Sequence, residues 1–499
     1  MEAGQGGRER RRGLPRGPQA LPREQVAADQ RERLFAALLE IVNERGFAGA
    51  TISGLVQRAG ISRSSFYEHY ENKEQCLLAA FDDSVERLTR RMVAGLDPDG
   101  ELRDQIEGLL RGLFEATVER PQAARLVCVE VSAAGPVGVQ RWAQGAALFE
   151  QVIARLFEQA PGEGTIPEPV AKAVVGALRK IVYARVLAAR SERALRAELE
   201  RALPGLVGWI VSYHPSPPGV AQRPRRRRAA ARSAGGLAGG RAGGRAPGSL
   251  VSLSAVGAQA LPRGLPGGEH NLPRGFVEHN QRERIFDAIA NLTAAHGYPA
   301  VGLEDVASQA AVSLRTFYNH FESKEEAFVA TYEVGHARAV NVCIEAFAAQ
   351  PTWPQGVHAG VGALLEFLAA EPAYAHMACV DVEIAFPELT ERVRRANAAY
   401  AGLLEFGIAQ AAGPTASGEP SHIVGEAIVG GIWELLHDYV ARGLTERLGE
   451  LTDHATYIAL TPLLGSAAAA GVVAPPRAPT DSRPPRRGPP WQRPRGGAH

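Results

Sequence analysis

The chain repeats itself. Residues 21–81 align without a gap with residues 272–332. The stretch "LPREQVAADQRERLFAALLE" faces "LPRGFVEHNQRERIFDAIAN", and "ISRSSFYEHYENKE" faces "VSLRTFYNHFESKE". About a third of these positions are identical, far above chance for an ungapped stretch of this length. The same offset carries "CVEVSAAGP" (128–136) onto "CVDVEIAFP" (379–387). After a small shift, "AVVGAL" (173–178) faces "AIVGGI" (427–432). The duplication therefore covers nearly the whole unit. So long a period is not that of a solenoid, and it predicts two tandem copies. In a chain of 499 residues each copy can bury its own core.

Charge separates the copies from what joins them. The net charge is only +1, but residues 1–27 hold six Arg against three acids, and residues 213–275 hold ten Arg against one. The tail after Leu464 holds six Arg against one. These segments are also where Gly and Pro gather, as in "GGLAGGRAGGRAPG" and "RPPRRGPPWQRPRGG". Such composition cannot bury enough apolar surface to offset the entropy of ordering, so 1–27, 213–275 and 466–499 are expected to be disordered. A linker of about 58 residues spans roughly 40 Å as a coil, enough for the copies to pack side by side. Cationic arms on an acidic body point to a polyanion such as nucleic acid, or simply to solvated linkers.

The four cysteines, Cys76, Cys128, Cys343 and Cys379, show no CxxC spacing. That argues against a disulfide scaffold or structural zinc and fits a reducing compartment. The most apolar run, Val170 to Leu187, is broken by Arg179, Lys180 and Arg185, so no membrane span is expected. The basic start lacks the apolar stretch of a signal peptide, and the expected location is cytoplasmic. No P-loop, GxGxxG, HExxH or GxSxG pattern points to an enzyme, and no cofactor or metal is expected. The pairs His437–Asp438 and Asp453–His454 read as surface charge.

Both copies read as all-α. Leu34, Phe35, Leu38, Ile41 and Val42 recur at helical spacing before Gly46, as do Ile285, Phe286, Ile289 and Leu292 before Gly297. Thr51 caps a short helix from Ile52 to Ala59, Gly60 supplies a turn, and Ser62 caps a second short helix carrying Phe66 and Tyr70. Asn72 then caps a longer helix, and Ser323 with Glu326 forms a capping box. Helix, tight turn, helix is the pattern that presents its second helix to a major groove about 12 Å wide.

The segment "TISGLVQRAGISRSSFYEHYENKEQCLLAAF" resembles the N-terminal signature of the TetR/AcrR family of bacterial transcriptional regulators, and "GLEDVASQAAVSLRTFYNHFESKEEAFVATY" is similar to the same element. The resemblance covers about 60 residues per copy and implies a helix-turn-helix domain (28–81 and 276–332) followed by a helical ligand-binding and dimerisation domain (82–212 and 333–465). It implies phosphate contacts from Thr51, Ser62, Tyr67 and Lys73, with His69 near the backbone, and base reading by Arg63, Ser64 and Ser65. In copy two it implies Ser313, Tyr318 and Lys324 for phosphate, Leu314, Arg315 and Thr316 for bases, and His320 as the match of His69. Copy two departs from the signature: Gly302 replaces the capping Thr and Ala311 replaces the turn Gly, which is expected to weaken its hold on DNA.

The resemblance further implies pairing through C-terminal helices, here Val170 to Arg185 and Ile423 to Tyr439. The expectation is an intramolecular pseudo-dimer on double-stranded DNA, with half-sites that differ because Arg63-Ser64 and Leu314-Arg315 differ; the alternative is that each copy pairs with another chain. Candidate liners of a pocket for a small apolar effector are Trp142, Phe149 and Tyr183 in copy one, and Trp353, Phe367, Met377, Tyr400 and Trp433 in copy two. Glu130 and Asp381, at equivalent positions, orient a ligand or, as we favour, face solvent. The expected function is a transcriptional repressor. Two alternatives stay open: a non-specific nucleic-acid-binding protein working through its Arg-rich segments, and a regulator in which copy one alone engages DNA.

Overall fold

The computed structural model describes residues 22–97, 99–160, 166–214, 273–382, 393, 395–404 and 422–473. Among these residues there is no β-strand, and the fold is all-α as expected. Copy one opens with α1 (Arg23–Arg45), α2 (Ile52–Ala59), α3 (Arg63–His69) and α4 (Lys73–Ala94). Copy two opens with α10 (Arg274–His296), α11 (Leu303–Gln309), α12 (Leu314–His320) and α13 (Lys324–Ala348). The apolar spacing read from sequence becomes the core of each unit. Leu34, Leu38, Leu55, Phe66 and Leu77 are fully buried, as are Ile285, Val306, Phe317 and Phe328.

Hydroxyl and amide caps start the helices. Thr51 Oγ1 accepts from Gly54 N at 3.1 Å, Ser62 Oγ from Ser65 N at 3.0 Å, and Asn72 Oδ1 from Gln75 N at 2.8 Å. At Gly302 the hydroxyl is missing, and Asp305 Oδ2 instead accepts the Gly302 N–H at 3.2 Å. The turn after α2 needs a left-handed residue: Gly60 has φ 65°. Ala311 occupies the matching turn with φ 49°, the one non-glycine residue with positive φ among those described.

The second part of copy one comprises α5 (Leu102–Glu119), α6 (Pro121–Cys128), α7 (Pro136–Gln159), α8 (Glu168–Ala188) and α9 (Glu192–Val211). In copy two it comprises α14 (Trp353–Ala370), α15 (Pro372–His376) running into a π turn at Met377–Asp381, helical residues 395–404, α16 (His422–Ala441), α17 (Thr452–Leu464) and α18 (Ser466–Val473). Helix α6 joins the two parts of copy one: its Leu126 is buried in the same cluster as Leu34 and Phe66.

The copies meet along α8 and α16, where small residues allow the backbones to approach. A Cβ on Gly431 would stand 2.8 Å from the Ala173 carbonyl oxygen, and one on Gly430 3.6 Å from Ala177 Cα. Gly176 lies directly against the Glu434 side chain. Beside this seam Tyr213 is fully buried and its hydroxyl donates to Ile458 O at 3.0 Å.

Four boundaries differ from the sequence expectation. Residues 23–27, read as arm, begin α1 after Pro22, and Arg274 and Gly275, read as linker, begin α10 after Pro273; a proline presets φ for a helix start. Tyr213, read as linker, belongs to the contact between copies. Residues 466–473, read as tail, form α18, because the alanine run there favours helix and Ala469 packs fully buried. Apart from Pro22, His214 and Pro273, the rest of the expected arm, linker and tail lies outside the described residues. All four cysteines are buried, and burial pushes the thiols of Cys76, Cys128 and Cys343 up to about 12.

Because an L side chain is disfavoured in the left-handed region, Ala311→Gly should stabilise copy two by about 1 kcal/mol, and Gly60→Ala should destabilise copy one by a similar amount. Urea denaturation followed by circular dichroism checks both.

Candidate nucleic-acid interface and effector cavity

Helices α3 and α12 each hold one buried aromatic, Phe66 or Phe317, and turn the rest outward. In α3, Arg63, Ser64 and Tyr67 are exposed and Ser65 is half-buried. The Arg63 guanidinium lies 5.8 Å from the Tyr67 ring centre, a cation–π arrangement that holds both side chains out from the surface. Ser62 Oγ is within 2.8 Å of Ser64 Oγ and 2.9 Å of Ser65 Oγ. In α12, Leu314, Arg315 and Tyr318 are exposed, and Ser313 Oγ is 2.8 Å from Thr316 Oγ1. Tyr67 and Tyr318 are 48% and 57% exposed, too open for core packing. The exposed members of the expected contact sets thus stand on matching caps and buried aromatics, with Tyr67 and Tyr318 alike and the exposed residues before them different.

Other expected contacts are engaged inside the protein. Lys73 Nζ donates to Ala50 O at 3.0 Å and to Phe47 O at 3.4 Å, and sits 4.6 Å from the Phe47 ring centre. Lys324 repeats this with Val301 O at 2.7 Å, Tyr298 O at 3.1 Å and the Tyr298 ring at 4.2 Å. Burial lowers the Lys324 pKa from the usual lysine value. These ammonium groups tie the start of α4 and α13 to the segment before α2 and α11. His69 Nε2 is 2.9 Å from Gln30 Oε1, and His320 Nε2 is 2.9 Å from Gln281 Oε1, so each fixes its recognition helix to the preceding long helix. Desolvation, with Arg282 nearby, lowers the His320 pKa.

Two positioning residues escaped the sequence reading. Arg33 Nη1 donates to Ala59 O and Gly60 O, both at 3.2 Å, and Arg284 Nη1 donates to Ala311 O at 3.2 Å. Each clamps the turn that separates the two short helices. Gln30, Arg33, Gln281 and Arg284 fall in the paired stretches "QRERLF" and "QRERIF", and their identity there was the available signal.

Glu130 and Asp381 correct the sequence reading, because both are buried rather than facing solvent. Glu130 Oε2 accepts the Phe47 N–H at 3.1 Å, and its Oε1 accepts from Arg125 Nη2 at 2.9 Å. Arg125 also donates to Asn43 O at 3.4 Å. The carboxylate thus ties the helix-turn-helix unit of copy one to α6. Asp381 Oδ2 is 2.7 Å from His376 Nδ1.

Copy one holds a cavity of about 320 Å³ among α4 to α8. Trp142 and Phe149 line it with Met92, Leu113, Ile153 and Leu178. Tyr183 lies elsewhere, at a cleft of about 120 Å³ between the copies. In copy two, Tyr400 and Trp433 line a space of only about 80 Å³. Phe367 and Met377 are packed in the core, and the Trp353 indole N–H reaches Leu403 O at 3.4 Å. Copy two carries Tyr332, Gly335 and His336 where copy one lines its cavity with Phe81, Ser84 and Val85. The Tyr332 and His336 rings stack at 5.9 Å, His336 meets Tyr400 at 5.3 Å, and the Tyr374 ring lies against Gly335. Aromatic side chains therefore fill the volume that copy one leaves open.

Glu130→Ala would leave the Arg125 charge and the Phe47 N–H without their buried partner. We expect a loss of about 3 kcal/mol in the stability of copy one, measured by chemical denaturation.

The family model described as "Bacterial regulatory proteins, tetR family" matches residues 34–80 and 285–331. The HTH-type transcriptional regulator CymR of Pseudomonas putida is 32% identical over 83 residues, covering 16% of this chain and 41% of CymR. The HTH-type transcriptional regulator BetI of Klebsiella pneumoniae (strain 342) is 29% identical over 90 residues, covering 18% of this chain and 46% of BetI. The chain thus spans less than half the length of these relatives. A TetR-like transcriptional regulator from Rhodococcus sp. RHA1 is 19% identical in a structural match covering 38% of this chain and 96% of that one, with a TM-score of 0.31. The two matched segments fall on the four-helix units α1–α4 and α10–α13, so the chain carries the N-terminal domain of the TetR family twice.

Proposed function

We propose that the chain is a sequence-specific DNA-binding transcriptional regulator, working by repression, whose two copies act together as a pseudo-dimer on one operator. The observation that carries this reading is the pair of outward faces on α3 and α12. Matching caps, clamps and buried aromatics hold each helix, while Arg63, Ser64 and Ser65 on one answer to Leu314, Arg315 and Thr316 on the other. In this reading Thr51, Ser62 and Tyr67, with Ser313 and Tyr318, contact phosphate, and Arg63 and Arg315 read base edges. Lys73, Lys324, His69 and His320 hold the scaffold. The role needs no catalytic step.

A small apolar effector would occupy the cavity of copy one. Arg179 lines that cavity, lies 4.9 Å from the Trp142 ring centre, and donates to Cys128 O at 2.9 Å. Its Nη2 is 2.7 Å from Glu434 Oε2 of copy two. An occupant would thus bear on the group joining α6, α7 and α16, and would act by favouring one arrangement of the copies over another. An amphiphilic dye with an apolar ring system, such as anilinonaphthalene sulfonate, should bind once per chain at this cavity, and Ala146→Phe should abolish that binding.

Selection from a random duplex library at near-physiological salt tests the function. We expect two unlike half-sites with centres about 10 base pairs apart. Arg63→Ala should weaken binding by about tenfold or more and relax one half-site, and Arg315→Ala should do the same to the other. A single enriched half-site would leave copy one alone on DNA. No enrichment, with binding lost as salt rises, would leave the Arg-rich segments as the binding element.

A further inference from the structure

The seam between the copies sorts its charges by copy. Helix α8 supplies Lys172, Arg179, Lys180 and Arg185, while α16 supplies Glu426, Glu434 and Asp438 and has no Lys or Arg. Ion pairs cross it between described residues: Lys172–Asp438 at 3.1 Å, Arg179–Glu434 at 2.7 Å and Arg185–Glu426 at 2.7 Å. They are well shielded: the Glu434 side chain is 2% exposed, Arg179 12% and Glu426 17%. Other charges approach the seam. Glu198 lies 3.5 Å from Arg185, and Arg442 lies 3.2 Å from Asp438. Copy one also brings acids to the Asp438 end, Glu150 of α7 and Glu168 at the start of α8; burial raises the Glu150 pKa, with Lys172 opposing and Glu168, Asp438 and Glu434 adding to the rise.

The duplication allows each homotypic seam to be written down. With 173–178 matching 427–432, Lys172 corresponds to Glu426, Lys180 to Glu434, Arg179 to Trp433, Ala184 to Asp438 and Arg185 to Tyr439. Pairing copy one with copy one in the same geometry turns Arg185–Glu426 into Arg185 against Lys172, and Arg179–Glu434 into Arg179 against Lys180. A two-fold axis makes each clash occur twice. Pairing copy two with copy two turns Lys172–Asp438 into Glu426 against Asp438, again twice. Only the mixed pair places opposite charges together at all three positions.

We infer that this charge sorting makes the seam obligatorily heterotypic: copy one accepts copy two and rejects a second copy one, and copy two rejects itself. The kind of partner that fits α8 is therefore an acidic helix like α16, and the pair is specified by repulsion in the alternatives as much as by attraction. This deepens the reading in which both copies of one chain share an operator, and rests on it.

The test uses the full chain with a protease site inserted between residues 240 and 241, cleaved after purification. The halves, identified by mass, are then followed by size-exclusion chromatography and sedimentation. The unaltered halves should stay together as one copy of each. Lys172→Glu with Arg185→Glu should weaken their association at least about 100-fold, since like charges set against each other across an interface are strongly unfavourable. Adding Glu426→Arg and Asp438→Lys should restore it, and the restored protein shows that the substituted helices still fold. The milder pair Lys172→Gln and Arg185→Gln should give an intermediate loss. Halves that remain together at full strength with Lys172→Glu and Arg185→Glu would overturn the charge inference while leaving intramolecular pairing intact. Unaltered halves that separate, or that sort into like-with-like pairs, would overturn the pairing reading as well.

Discussion

Close backbone contact between α8 and α16 is the constraint on which the arrangement of the two copies depends. It exists because Ala173, Gly176, Gly430 and Gly431 are small where the helices cross. A larger side chain at Gly176 would meet Glu434, and one at Gly431 would meet the Ala173 carbonyl. Closeness brings the flanking charges within hydrogen-bonding reach and buries them, which makes their signs matter more than they would on an open surface. Glu434 stands at the centre, because it packs on Gly176 and pairs with Arg179.

From Arg179 a line of polar contacts runs inward. Its guanidinium reaches the end of α6 at Cys128 O, and two residues on, Glu130 accepts the Phe47 N–H just before α2. Phe47 in turn carries the Lys73 ammonium over its ring. The helix-turn-helix unit of copy one is thus tied to α6 by backbone hydrogen bonds to charged groups, not by apolar packing alone. These bonds are directional, so they fix the orientation of the unit on α6.

Much of this was legible in the sequence, for identifiable reasons. Helix starts were readable because Thr51, Ser62, Asn72 and Ser323 announce their caps, and the left-handed turn because glycine marks it at position 60. The strain at Ala311 was readable only because the repeat supplied a glycine to compare it with. Glu130 and Asp381 were misread because a lone acid in an apolar run looks like a solvent face; the Phe47 N–H that meets Glu130 comes from 83 residues away, while Arg125 and His376, only 5 residues before their acids, were within local reach. Lys73 was given to phosphate by resemblance, although its carbonyl partners lie 23 and 26 residues earlier in the chain. The emptiness of one cavity and the filling of the other was beyond reach, because Trp142 and Trp433 look equally suited to either role in a string of letters.

Carrying both sides of the seam on one polypeptide changes how the pair responds to dilution. Two separate protomers assemble with the square of their concentration, so a scarce protein falls apart before it can act. A tethered pair meets its partner at an effective concentration fixed by chain length, independent of how many molecules are present. The response to changing abundance then becomes proportional rather than steep, and a handful of molecules behaves as a larger population would. Tethering also lets each copy change alone: Tyr332, His336 and Tyr374 could fill one cavity while the other stayed open, a divergence that two identical protomers cannot undergo.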